Sequence, residues 1–178
     1  MKSSSVEEHT TTIVSAITDK QTVLGISPGT RVTGIAVFHD GELMEWKVKT
    51  INGAWSKLKL SLLTSYIGKT IDRYAARSMV VKILHESKSS SGLNMLIASL
   101  NLLAKEKRCL YYTCTIKDLK SLYKTYTVKN KDDLVEAICR KHPELIFVRN
   151  KEKKNRYRYY TKMFEAIACA HSCLKQQP

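Results

Sequence analysis

No stretch of this 178-residue chain approaches the ~18 consecutive apolar residues that a membrane-spanning helix needs, so a spanning segment is excluded. The opening MKSSSVEEHTTT has no apolar run after Lys2, which argues against a secretory signal, and it is too acidic for a transit peptide. The chain also lacks any C-x-x-C pair. Its five cysteines, Cys109, Cys114, Cys139, Cys169 and Cys173, are odd in number, and without an export signal they do not read as a disulfide framework. Cys169, His171 and Cys173 have a metal-like spacing, yet they sit in an apolar helical run where free thiols pack as small hydrophobes, and the buried-thiol reading is the stronger. No internal repeat is visible. Negative charge is scarce: 16 acidic residues stand against 30 Lys and Arg, a net charge of +14. Such an excess excludes nothing about fold but points to an anionic partner.

What is present is one domain's worth of chain with 43% apolar residues, enough for a sizeable core and against wholesale disorder. Residues 1–20, rich in Ser and Thr, read as a poorly ordered lead-in, and 21–178 as a single domain. Thr22–Ile26, Val32–Phe38 and Leu43–Thr50 read as strands, separated by Ser27-Pro28-Gly29-Thr30 and by a D-G turn at Asp40-Gly41. That is an antiparallel meander. Helical spacing follows over residues 55–75, a short apolar strand over Met79–Leu84, and a helix over Leu93–Lys107. Cys109–Ile116 is a fifth strand. Lys131–His142 is a helix with Asn130 as N-cap and Pro143 beyond its end, and a last helix runs over Tyr159–Leu174. The expected architecture is α/β: a mixed five-stranded sheet, three strands in a meander plus two more, with helices on both faces.

The positive charge is concentrated. Residues 105–162 carry 17 basic and 7 acidic side chains, a net of +10, and Arg149–Lys162 (RNKEKKNRYRYYTK) holds seven basic residues, one Glu and three tyrosines. Lys and Arg neutralise phosphates and tyrosines stack on bases, so nucleic-acid binding is preferred here over a solvated loop.

The run LGISPGTRVTGIAV at residues 24–37 resembles the opening motif, G-I-D-P-G-T-x-x-T-G-x-A, of the RuvC-type Holliday-junction resolvases. Met79–Leu84 falls where that family has its second signature strand. Val128–Leu134 (VKNKDDL) is similar to its basic helix-opening segment, and Glu165–His171 (EAIACAH) to its closing D-A-L-A-x-A-x-H helix. The likeness spans about residues 22–174. It implies an RNase H-like fold, action on four-way DNA junctions as a homodimer, and Mg²⁺ at four carboxylates. The opening motif is also similar to the actin and sugar-kinase fold, but that architecture needs two such domains and an ATP cleft, more than 178 residues supply.

The carried-over acidic site is degenerate. Its four positions fall on Ser27, Lys82, Lys162 and Glu165, leaving one acid. Mg²⁺ demands hard anionic oxygen ligands. One Lys ammonium about 4 Å from a divalent ion opposes its binding by roughly 8 kcal/mol at an effective dielectric near 20. Glu86, four residues beyond Lys82 on an extended strand, is about 13 Å away and does not restore the set. Glu165 is therefore expected to pair with Lys82, Lys162 or both, and no metal or other cofactor is expected unless a nuclease persists. His171, matching the family's closing His, reads as a packed, hydrogen-bonded residue rather than a functional one.

These readings converge on a RuvC-like pseudonuclease that binds structured or branched DNA, or RNA. Phosphates would be met by Lys82, Lys129, Lys131, Lys153, Lys154, Arg156, Arg158 and Lys162, and bases by Tyr157 and Tyr160. The enzyme alternative is an active Mg²⁺-dependent Holliday-junction endonuclease rearranged around Glu165. The other alternative is a basic interaction subunit of a protein or RNA–protein assembly. An intracellular, non-secreted, membrane-free location is expected, in cytoplasm or nucleoid if bacterial, with an organelle left open.

Overall fold

The structure, a computed structural model, describes residues 21–154 and 158–174. The expected lead-in, residues 1–20, lies outside the described residues, as do Arg156 and Tyr157. The first three strands follow the sequence reading closely: β1 Thr22–Ser27, β2 Val32–His39 and β3 Glu42–Thr50. Asp40 and Gly41 both take positive φ, 51° and 82°, which is what a two-residue hairpin turn of primed type demands. Helix α1 (Lys57–Tyr74) starts at Ser56, whose hydroxyl accepts from the Lys59 N–H. Then come β4 (Ser78–Lys82), α2 (Ser91–Glu106) and β5 (Leu110–Cys114).

The five strands form one sheet in the order β3-β2-β1-β4-β5. β1 pairs antiparallel with β2, and β2 with β3, whereas β1–β4 and β4–β5 are parallel. This is the expected mixed sheet. Strand alternation assigns the two faces. Leu24, Ile26, Ile35, Val37, Met79 and Val81 pack against α1 and α2, while Val23, Ala36, Phe38 and Val80 face the other layer. That second layer contains α3 (Ile116–Leu122), α4 (Lys131–Lys141), α5 (Ile146–Lys154) and α6 (Thr161–Leu174).

α6 is apolar nearly all round and fully enclosed, as such a helix must be. It lies so close to the sheet that a Cβ on Gly25 would fall 2.0 Å from the Ala166 carbonyl oxygen, and one on Gly34 would fall 1.9 Å from that of Lys162. Those two glycines are what let the helix backbone settle on the strands. Among the described residues no helix is long and apolar enough to cross a membrane.

Three expectations change. The strand expected over Met79–Leu84 ends at Lys82, and His85 caps a 3-10 turn, Glu86–Lys88, instead of continuing it. Glu86 is thus off the sheet altogether. The strand expected to reach Ile116 stops at Cys114, because Thr115 and Asp118 form a reciprocal capping box that opens α3. The basic stretch, with no element expected before Tyr159, is partly helical: Pro143–Leu145 turns the chain and α5 continues to Lys154, with Glu152 its one buried residue.

Candidate functional site

β1 and β4 are parallel neighbours, with Ile26 opposite Val81, so Ser27 and Lys82 end adjacent strands side by side. Both point to the α6 layer. Lys162 and Glu165, three residues apart in the first turns of α6, stand over those strand ends. The four positions carried over from the resolvase pattern therefore do converge in space.

Glu165 is the hub. Its side chain is 1% exposed and that of Lys82 2%. Oε2 accepts a hydrogen bond from Ser27 Oγ at 2.6 Å and one from Lys82 Nζ at 2.5 Å. Oε1 lies 2.9 Å from Lys131 Nζ, a charge contact outside hydrogen-bond alignment. The expected Glu165–Lys82 pairing is present. Lys162 departs from expectation: its ammonium donates to the Pro28 carbonyl oxygen at 2.8 Å, so it influences Glu165 through space. Lys131, expected on an outer phosphate-binding face, reaches the site because it is the first residue of α4, directly after the Asn130 cap. A cap followed by Lys marks a helix start in sequence, but nothing local says that this start abuts the last helix.

The electrostatics follow from one carboxylate facing three ammonium groups. Burial alone would push the Glu165 carboxyl up, but Lys82, Lys131 and Lys162 outweigh it and hold the pKa down at about 2. Lys162 is pulled down to about 8, first by burial and next by the like charge of Lys82, with Glu165 opposing and Lys131 adding to the fall. The cluster therefore carries an excess of positive charge.

A divalent cation does not fit this donor set. The oxygen donors at hand are Glu165, the Ser27 hydroxyl and the Pro28 carbonyl, and each is already engaged in the bonds above. Cavities of about 330–620 Å³ open elsewhere on the surface, but none of the five is lined by Ser27, Lys82, Lys162 or Glu165. Nor is Ser27 set up as a nucleophile: it is fully buried, and its proton points at a carboxylate far too acidic to act as a base near neutral pH.

The outer basic residues are gathered along α4. Arg158 pairs with Asp132, while Arg149 and Lys153 (3.1 Å) both meet Glu136, one turn further along the same helix. Lys129 and Lys154 are exposed. Tyr160, expected to stack on bases, is instead half-buried against the α6-side core; Tyr159 is the exposed neighbour, at 42%. The sequence gives three tyrosines in this segment without saying which faces out.

The thiols are buried, as expected. Cys114 Sγ lies 3.3 Å from Cys169 Sγ. His171 packs against Phe38; its Nδ1 meets the Tyr123 hydroxyl and its Nε2 lies 3.1 Å from Nε2 of His142. Its role is to tie α6 to the far end of α4.

Neither a family model nor a curated protein sequence matches this chain. Solved structures do. RuvC from T. thermophilus in complex with a Holliday junction substrate superposes with a TM-score of 0.63 at 13% identity, over 85% of this chain and 91% of that one. A second Thermus thermophilus RuvC structure gives 0.64 at 11% identity, over 87% and 96%. The fold is RNase H-like, of the RuvC kind. At these identities the likeness establishes the fold and nothing finer, so what the site does rests on its own residues.

Proposed function

We propose that this RuvC-like chain binds nucleic acid, structured or branched DNA or RNA, and does not cleave it with metal ions. The observation that carries the reading is Glu165, whose two carboxylate oxygens are held by Lys82 and Lys131 at 2.5 and 2.9 Å where a nuclease of this fold would need free acids. Cations fixed at the strand ends supply without a metal the positive charge that draws a phosphate. Lys131, its side chain 53% exposed, and Lys162 are the groups placed to meet one, with Lys129, Lys153, Lys154 and Arg158 extending the contact. A RuvC-type homodimer would set two such sites on one branched substrate.

The test is a binding panel of four-way junction, duplex, single strand and structured RNA, each with and without Mg²⁺. The reading expects retardation that does not require Mg²⁺ and weakens steeply with salt, log K falling with log[salt] at a slope of about 0.9 per phosphate neutralised on duplex. Failure to retard any of them at low salt overturns it and leaves the basic interaction subunit as the surviving reading.

A further inference from the structure

Beside the lysine cluster around Glu165 lies a second feature that the phosphate contacts do not use. A cavity of about 330 Å³ is bounded by Arg31, Thr50, Ile51, Asn52 and Tyr159. It sits among the β1–β2 loop, the end of β3 and the segment leading into α6. Its floor is fixed, since the Ile51 N–H donates to the Arg31 carbonyl at 2.8 Å and the Lys59 ammonium donates to that of Asn52. The volume is at the lower end of the ~300–1,000 Å³ range of small-ligand sites.

The lining has the chemistry of a base-binding slot. Tyr159 offers a ring with a π-face, Arg31 a planar guanidinium that stacks or donates, and Asn52 a side-chain amide with both donors and an acceptor for a base edge. Val32 and Ile51 supply apolar contact. The slot adjoins the lysine cluster through the β1–β2 loop. Gly29, two residues before Arg31, lies under the Lys162 stem, and a Cβ there would fall 3.5 Å from Lys162 Cε. Tyr159 precedes Lys162 by three residues. One short loop therefore separates the cations from the slot, an arrangement that suits one nucleotide with its phosphate on one side and its base on the other.

We propose that this slot receives an unpaired nucleobase, which makes the preferred ligand a single-stranded or junction-exposed nucleotide rather than continuous duplex. A paired base inside a duplex has both faces covered by its neighbours and cannot enter. The inference rests on the nucleic-acid reading above and narrows it.

The test uses the full chain and oligonucleotides carrying 2-aminopurine, either in a single strand or fully paired. Tyr159→Ala should weaken single-strand binding by roughly 5- to 160-fold, the span expected for losing one base–aromatic stack, and leave duplex binding unchanged. Tyr159→Phe should restore it. In the unaltered protein the 2-aminopurine fluorescence should be quenched on binding in the single strand and unchanged in the duplex, a readout that needs no variant. Equal single-strand affinity of Tyr159→Ala and the unaltered protein, an equal loss on single strand and duplex, or absent quenching would overturn the slot while leaving phosphate binding intact. Absence of all nucleic-acid binding by the unaltered protein would instead overturn the broader reading.

Discussion

The Lys82–Glu165 contact is a buried ion pair, and such pairs are costly to form but more costly to half-remove. Lys82→Met should destabilise the fold by about 3–5 kcal/mol in urea unfolding, because Glu165 would keep its charge with less to balance it. Adding Glu165→Met to that variant should recover most of the loss; a single variant within about 0.5 kcal/mol of the parent would show that the pair does not exist as described. The acid limb offers a second check. Glu165 is held at about 2 in the fold against an ordinary value of 4.5, so its contribution is complete above pH 4.5 and disappears as pH falls towards 2. The stability gap between the parent and Glu165→Gln should therefore narrow across that window, and a gap that is flat from pH 5 to pH 2 would contradict the assignment. At this scale the sequence was half legible. Lys82 opposite Glu165 could be read from two motif positions, whereas Lys131 could not, because its approach depends on where α4 packs. Lys162 differs because its ammonium reaches a backbone carbonyl across the turn, a partner that no residue identity advertises.

α6 carries two of the four site positions, and its seat on the sheet depends on the missing side chains of Gly25 and Gly34. Gly34→Ala would drive a methyl into the Lys162 carbonyl and should cost about 3 kcal/mol or more, read as a lower urea midpoint. α4 performs a different task, tethering Arg149 and Lys153 through Glu136 and Arg158 through Asp132. Glu136→Gln should release two cations, tighten nucleic-acid binding at low salt, and steepen the salt dependence by about one to two units of log–log slope. Unchanged or weaker binding would mean that those residues face away from the ligand. The β meander, α1, α2, α4 and α6 were legible because each is a periodic apolar segment with its own stop signals. α5 was not: it buries only Glu152, and its apolar residues Ile146, Phe147 and Val148 are consecutive, with polar residues after them, so apolar periodicity has nothing to register. α3 left one signal, the Thr115–Asp118 spacing of a capping box, hidden by the run of strand-forming residues before it.

For the molecule as a whole, two groups of basic side chains within the +14 charge have different surroundings. Part of it is partnered along α4, where ion pairs hold the basic segment to the domain. Three further lysines, Lys82, Lys131 and Lys162, gather around Glu165 at the strand ends. Fold and site are therefore separate questions: the sheet order and the closing helix give the architecture, while the side chains at its centre are one carboxylate among three ammonium groups. The measurement that bears most directly on this is a cleavage assay on a synthetic four-way junction with Mg²⁺ or Mn²⁺, run beside Glu165→Gln. The account predicts a junction that is bound and intact in both metals for both proteins. Nicking by the unaltered protein that disappears in Glu165→Gln would contradict it.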